Sequence, residues 1–349
     1  MNDPLAIGLM SGSSLDGIDI IAVRFHPHYT YEIMQAETLP YPAEWQERLA
    51  NAFLSQPSAL GELDKEYGRY LGQCVRDFTQ RHHLQPDFVA SHGHTIFHQP
   101  EQGFTLQIGD GQALADACGC LTINDFRSED VSKGGQGAPL VPIGDRLLFS
   151  DYDICLNIGG IANLSYEEGG NRIAYDICIA NQALNYLAQR QGRHYDKDGL
   201  LARHGRVSDT LLQALDDNDY FRLAPPKSLG REFFESCQRH LLESYPTEDA
   251  LATFTEHIAR QTARCVAHLP QGNILVTGGG AHNLFLIERL QHHTPHQVVV
   301  PDRQTVDYKE ALIFALLGLL RLEGHTNVLR SVTGASSDSC SGQIWKPKS

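Results

Sequence analysis

The sequence predicts an α/β protein of two lobes, each a mixed sheet flanked by helices. Three observations carry that expectation. The chain has 349 residues, too many for one simple core when domains commonly run about 100–200 residues. Short β-rich runs alternate with longer stretches of helical periodicity, the pattern of α/β architecture. Two distant segments, Leu5–Phe25 and Tyr152–Tyr175, share one plan of strand, small-residue turn and strand, which suggests a duplicated lobe.

The elements follow in order. LAIGLM and IDIIAVRF flank the turn 11–17. Residues 44–56 and 60–82 carry apolar positions at helical spacing, the second as one long amphipathic helix. A short strand at 87–90 enters a histidine-rich turn; a strand at 104–108 leads through Gly109-Asp110-Gly111 to a helix at 112–118 and a strand at 122–125. From 128 to 142 the chain reads as loop, and the lobe boundary is expected there: residues 1–130, joined by 325–349, against 131–324. Beyond the second hairpin, helices are expected at 181–190, 208–215 and 247–269. The buried strand Asn273–Thr277 then enters Gly278-Gly279-Gly280, followed by a helix at 283–291, a strand at 298–300 and a final helix at 309–322.

Composition narrows the function. The formal charge of −14 repels phosphate backbones and anionic lipid, which argues against a nucleic-acid or membrane-surface partner. The apolar run Ala311–Leu320 is about half a membrane span and reads as a buried helix. The first residues lack the basic and apolar regions of a signal peptide. Eight cysteines without a Cys-x-x-Cys pair read as reduced, buried thiols of a cytoplasmic protein.

Glycine turns carry the candidate chemistry. Ser11-Gly12-Ser13-Ser14-Leu15-Asp16-Gly17 follows a strand directly. Its glycines admit close backbone approach to a phosphate, its hydroxyls add donors, and Asp16 and Asp19 are suited to Mg²⁺ through water. The alternative is a polar hairpin turn. It lacks the Gly-Lys-Ser/Thr of a Walker A loop, and a strand follows it instead of the helix of a dinucleotide fingerprint. Gly278-Gly279-Gly280 lies at a strand's carboxyl end, where ligands gather in α/β sheets; a tight αβ connection is the other reading. His92, His94 and His98 share one loop without converging elements or a carboxylate partner, so no metal site is expected there.

Ordered motifs then carry a family resemblance. They are Gly8-Leu9-Met10-Ser11-Gly12-Ser13-Ser14-Leu15-Asp16-Gly17, Ser91-His92-Gly93-His94-Thr95, Gln107-Ile108-Gly109-Asp110-Gly111 and Asn124-Asp125-Phe126-Arg127. Gly134-Gly135-Gln136-Gly137-Ala138-Pro139, Leu156-Asn157-Ile158-Gly159-Gly160-Ile161-Ala162-Asn163 and Pro225-Pro226-Lys227-Ser228-Leu229-Gly230-Arg231-Glu232 continue the series. Gly278-Gly279-Gly280-Ala281-His282-Asn283, Glu310-Ala311 and Ser331-Val332-Thr333-Gly334-Ala335 close it. The chain resembles the anhydro-N-acetylmuramic acid kinases of cell-wall recycling.

The resemblance implies the two-lobed actin-like ATPase (ribonuclease H-like) fold. It also implies a cytoplasmic homodimer that uses ATP and Mg²⁺ to open a 1,6-anhydro amino sugar with water and phosphorylate O6. Gly12, Ser13, Ser14, Leu15, Asp16, Gly17, Ile18 and Asp19 become the phosphate loop, with Gly159, Gly160, Gly278, Gly279, Gly280, Asn283 and Glu310 also on the nucleotide. His94, Asp125, Arg127 and Gln136 fall on the substrate side, and Asp176 becomes the general base. The residues allow other roles: Asp176 as a helix cap, Arg127 in a salt bridge to Asp125 or Asp130, and Glu310 as a charge at the opening of the last helix. One departure stands out. The family pattern Asp-Thr-Gly-Pro-Gly-Asn reads here Asp176-Ile177-Cys178-Ile179-Ala180-Asn181, placing Cβ atoms where backbone is expected to approach a ligand. Kinase action on a different anhydro-sugar, or a weakened actin-like nucleotide-binding protein, are the alternatives that departure raises.

Overall fold

In the computed structural model, which describes residues 3–12, 15 and 17–348, two sheets repeat one strand order. The first runs β13 (Gln343–Trp345), β7 (Thr122–Asn124), β4 (Phe88–Ser91), β1 (Leu5–Ser11), β2 (Gly17–Phe25), β3 (Tyr31–Pro40). The second runs β10 (Asn171–Ile179), β9 (Ile161–Glu168), β8 (Ile154–Ile158), β11 (Asn273–Thr277), β12 (Gln297–Val299). In each, three consecutive strands form an antiparallel meander, and the first of them is then joined by two parallel strands. Such parallel neighbours require crossovers, which the helices between them supply. The duplication inferred from the two hairpins is therefore present in topology. A separate hairpin, β5 (His94–Gln99) with β6 (Phe104–Ile108), stands outside both sheets.

The chain divides into two compact units, Met1–Leu148 with Tyr308–Ser349, and Phe149–Asp307. The first crossing thus falls later than the expected 130/131, and the return falls earlier than 324/325. The glycine loop 134–137 stays with the first unit because it bonds there: Gln136 N–H donates to the Thr333 carbonyl at 2.8 Å. The apolar run Ala311–Leu320 is buried inside the helix Arg303–Glu323. Among the described residues no helix is long and apolar enough to cross a membrane.

Each unit has its own core. Ile7, Leu9, Ile18 and Ile20 of the first sheet pack with Tyr67, Leu71, Val75 and Phe78 of the helix Pro57–Arg81. Leu156, Ile158, Leu164 and Ile179 pack with Leu251, Phe254 and Ile258 of the helix Thr247–Val266 in the second. Strand β3 and strand β13 were not foreseen: β3 alternates only between half-buried and exposed positions, so it lacks the strong apolar alternation that marks a strand. The expected loop 128–142 contains the short helices Ser128–Ser132 and Pro142–Leu148. Of the eight thiols, all free, only Cys155 and Cys178 are buried and the rest are half-buried, a correction to the expectation of buried thiols.

Candidate active site

In the first unit the turn after β1 is only partly described: Ser13, Ser14 and Asp16 lie outside the described residues. Gly17 and Ile18 belong to the sheet. A Cβ on Gly17 would stand 2.5 Å from the Leu39 carbonyl of β3, so packing between strands suffices to require glycine there. The Ile18 side chain is fully buried in the core, and Leu15, at φ 58°, packs partly against it. Asp19 is half-buried at the same strand end and accepts from Thr38 Oγ1 at 2.6 Å.

The end of β1 is tied to the histidine-rich segment. Ser11 Oγ lies 2.6 Å from Tyr41 Oη and 3.1 Å from His94 Nδ1, and Tyr67 donates to it at 2.9 Å. Burial pushes the His94 imidazole down to about 4, so it is neutral at physiological pH and serves as a hydrogen-bonding group. His92 is neutral as well, held down at about 3 by burial and the Arg127 charge. Arg127 donates from one terminal nitrogen to the Gly137 carbonyl at 2.5 Å and from the other to His92 Nε2 at 2.9 Å. His92 Nε2 must then be an acceptor, which leaves Nδ1 to carry the proton toward the Gly93 carbonyl at 2.9 Å. The salt bridge to Asp125 or Asp130, the alternative role for Arg127, is not formed. Burial lowers Arg127 to about 10, opposed by Glu310 and Asp130. Its Nε–H is buried without an acceptor, so the guanidinium keeps donor capacity for a planar anion.

Asp130, named from sequence only as a possible partner of Arg127, organises the surrounding loops. Fully buried, it accepts from Gly137 N–H and from Thr333 Oγ1, both at 2.8 Å. One carboxylate thereby joins the glycine loop to the Ser331–Ala335 motif. Gln136, expected on the substrate, is exposed. Asp125 is engaged locally: one oxygen accepts from Ser128 Oγ at 2.5 Å, the other from Gln343 Nε2 at 2.9 Å. Its place at φ 55° and these bonds give it a turn-holding role, where substrate contact was expected.

Glu310 does not open its helix, which starts at Arg303; two turns of helix precede it. Burial is the main cause that raises its carboxyl, with Asp19 and Asp145 adding to the rise and Lys309 and Arg127 opposing it. Beside it Lys309 and Asp145 form an ion pair at 2.6 Å with side chains 5% exposed each.

In the second unit, the carboxyl ends of β8 and β11 and the segment after β10 adjoin. The Gly159 carbonyl accepts from Asn181 N–H at 3.1 Å and the Gly160 carbonyl from Ala180 N–H at 2.8 Å, which caps the helix Asn181–Gln189. Gly278 needs glycine: at φ 79°, a Cβ would stand 2.4 Å from Asn157 Oδ1 and 2.9 Å from the Ile158 carbonyl. Gly280 lies against Ile158. Gly160 and Gly279 are exposed, with nothing within 4 Å of a Cβ at Gly160 and only Asn181 Nδ2, at 3.5 Å, near one at Gly279. Asn283 caps the helix Leu284–His293 by accepting from Leu286 N–H at 3.0 Å, so its side chain is committed to the backbone.

Asp176 sits at a bulge in β10, where the register with β9 skips Ile177; bulges re-aim neighbouring side chains. Leu229 N–H donates to Asp176 Oδ2 at 2.8 Å, and Asp176 N–H donates to the Lys227 carbonyl at 3.2 Å. Tyr220 Oη donates to the Asp176 carbonyl at 2.7 Å. The Pro225–Glu232 motif therefore wraps the carboxylate, a role its sequence did not disclose. Oδ1 has no hydrogen bond among the described residues. Burial raises the carboxyl and the Leu229 bond only partly offsets this, the condition of a base whose proton affinity exceeds that of a solvated carboxylate. Ile177, Cys178, Ile179 and Ala180 are all fully buried in the second core. The departure from the family pattern is thus absorbed by packing, where Cβ atoms facing a ligand were expected. His92, His94 and His98 each bond elsewhere, and no cluster of three metal-ligating side chains occurs among the described residues.

The repeated meander with two parallel additions, and glycine turns at its strand ends beside buried carboxyls, define a protein of the actin-like ATPase class. The sequence matches the family described as anhydro-N-acetylmuramic acid kinase over residues 4–347. A relative of that name from Vibrio cholerae is 37% identical over 365 aligned positions, covering 98% of each chain. One from Saccharophagus degradans is 36% identical, covering 99% of this chain and 100% of its own. The chain belongs to the anhydro-N-acetylmuramic acid kinase family. Among solved structures, component A of (R)-2-hydroxyglutaryl-CoA dehydratase from Acidaminococcus fermentans superimposes with a TM-score of 0.48 at 13% identity, covering 90% of this chain and 96% of that one.

Proposed function

We propose that this chain is an ATP-dependent anhydro-N-acetylmuramic acid kinase that opens the 1,6-anhydro ring with water and phosphorylates O6, giving N-acetylmuramic acid 6-phosphate. Family membership supplies the reaction class: a sugar kinase, a phosphotransferase to an alcohol oxygen. The observation that carries the mechanism is Asp176, one oxygen fixed by Leu229 N–H and the carboxyl raised by burial. Asp176 takes a proton from water as the water oxygen bonds to the anomeric carbon and the bond from that carbon to O6 breaks. O6 then bonds to the γ-phosphorus of ATP as the bridge to ADP breaks, a step that needs alignment and charge neutralisation above all.

The other residues position and neutralise. Arg127, with an unmatched Nε–H, suits the lactyl carboxylate of the sugar. Neutral His94 offers its free ring nitrogen as a hydrogen-bonding group to the sugar. Gly160 and Gly279 expose backbone that a nucleotide can approach closely. Asp19 and Glu310 lie within each other's electrostatic reach, and a cation would relieve their repulsion, so they suit Mg²⁺ held through water. When bound, Mg²⁺ offsets charge on the phosphates. A cytoplasmic location accords with the need for ATP and the acidic charge, and a homodimer accords with the family.

The test is phosphorylation of 1,6-anhydro-N-acetylmuramic acid by the pure protein with Mg·ATP, beside Asp176→Asn. Turnover that falls about 10²–10⁴-fold in the variant supports reaction and base together. Full turnover in the variant moves the base elsewhere. No turnover by the wild type, with ATP still bound, redirects the search to other anhydro-sugars.

A further inference from the structure

Asp176 belongs to a row of polar residues that crosses the second sheet. The strand registers pair Thr277 of β11 with Asn157 of β8, Asn157 with Asn163 of β9, and Asn163 with Asp176 of β10. Paired residues on neighbouring strands project to the same face, with Cβ atoms about 4.5–5.5 Å apart in antiparallel pairs. The row lies at the carboxyl ends of β8 and β11, the edge where ligands collect in α/β sheets. The adjoining pair Leu156 and Leu164 points into the core, so the polar row faces away from it.

Thr277 spends its hydroxyl on the Leu156 carbonyl at 3.5 Å. Asn157 is wedged between the two glycine turns, its Oδ1 against Gly278 and its Nδ2 near Gly159. Asn163 stands between Asn157 and Asp176. It is only half-buried, and its amide makes no hydrogen bond among the described residues. An Asn inside a strand contributes little to the sheet and is normally depleted there. It does not bond Asp176 either, although the two start from paired positions. Both side chains remain available to a third group between them, and the unbonded Oδ1 of Asp176 is the one such a group would meet.

We infer that Asn163 is a water-positioning residue: its amide oxygen accepts one proton of the attacking water while Asp176 Oδ1 takes the other. The inference rests on the proposed ring-opening reaction and deepens it. A water held by two acceptors has its lone pair directed away from both, toward the anomeric carbon. The proton shared with Asp176 transfers as the C–O bond forms and O6 leaves with the electrons of its bond to carbon. The proton shared with Asn163 stays on the new anomeric hydroxyl. Placing the water in this way is a contribution of orientation, felt in kcat more than in binding of either substrate.

The experiment compares wild type, Asn163→Ala and Asn163→Asp for steady-state kinetics on 1,6-anhydro-N-acetylmuramic acid, with pH profiles and thermal midpoints. Asn163→Ala is expected to lower kcat about 10–100-fold, the effect of one lost hydrogen bond to a reacting group, with KM for ATP within about twofold. Asn163→Asp keeps an acceptor but sets a second carboxylate beside Asp176, which raises the base's proton affinity. Its activity should therefore return at higher pH, with the acidic limb of kcat displaced upward relative to wild type. A purely structural Asn163 would lower the thermal midpoint in Asn163→Ala and leave its kcat near that of the wild type. Wild-type kcat in Asn163→Ala, or an unmoved limb in Asn163→Asp, overturns the assignment while the kinase reaction stands. Absence of turnover by the wild type overturns the reaction, and the assignment with it.

Discussion

Two alanine substitutions, at Gly278 and Gly160, separate what the glycine turns do for the fold from the nucleotide contact proposed for them. Gly278 holds φ 79°, which costs an L-residue about 1–2 kcal/mol. An added Cβ would also stand 2.4 Å from Asn157 Oδ1 and 2.9 Å from the Ile158 carbonyl; relieving such overpacking costs about 1–3 kcal/mol more. Gly278→Ala should then lose about 2–5 kcal/mol, a fall of about 5–15 °C in the melting midpoint of a unit this size. Gly160 is exposed, with no heavy atom within 4 Å of a Cβ, and its φ lies outside the left-handed range. Gly160→Ala should leave stability unchanged or raise it by up to about 1 kcal/mol through the unfolded chain. Its effect should appear in binding, because a methyl group where phosphate approaches backbone weakens ATP by about tenfold or more, equivalent to about 1.4 kcal/mol. Thermal denaturation and the KM for ATP of the two variants are the assay. An unchanged midpoint in Gly278→Ala would refute the steric argument. An unchanged KM in Gly160→Ala would remove the 159–160 turn from the nucleotide site.

Three further outcomes follow from the geometry. Lys309→Met leaves the Asp145 carboxylate buried beside a lost partner and should destabilise by about 3–5 kcal/mol; the urea midpoint reports it, and pairing the change with Asp145→Asn should recover much of the loss. His92 and His94 are neutral in the fold, at about 3 and 4, whereas the unfolded chain protonates them near 6.5. Their contribution to stability is complete above about pH 6.5 and is lost as pH falls toward and through 4, so the urea midpoint should drop across that window and His94→Gln should flatten part of the slope. Arg127→Lys cannot reach both the Gly137 carbonyl and His92 Nε2 and lacks the planar fork, and it should raise KM for the sugar about tenfold or more while KM for ATP holds.

Much of this molecule was legible from sequence because the relevant signals are local. Strand–turn–strand patterning placed β1, β2, β8 and β9, helical periodicity placed the long helices, and the run of ordered motifs marked the glycine turns and carried the family resemblance. The element ends moved by a few residues, most at the final helix, whose polar first turns hid its start at Arg303 and so misplaced Glu310. What remained hidden depends on partners distant in the chain. Asp130 joins Gly137 to Thr333, and Arg127 bonds His92, 35 residues away in the chain. The buried Ile177–Ala180 segment shows the same limit: written out, the loss of a threonine and two glycines suggests an altered ligand surface, yet packing turns all four positions into core. The sequence by itself determined the architecture and the family, because backbone propensity and motif order are properties of short segments. Only the tertiary structure decided which groups face each other, since strand register alone sets Asn163 beside Asp176, and register is fixed by burial and pairing across the sheet.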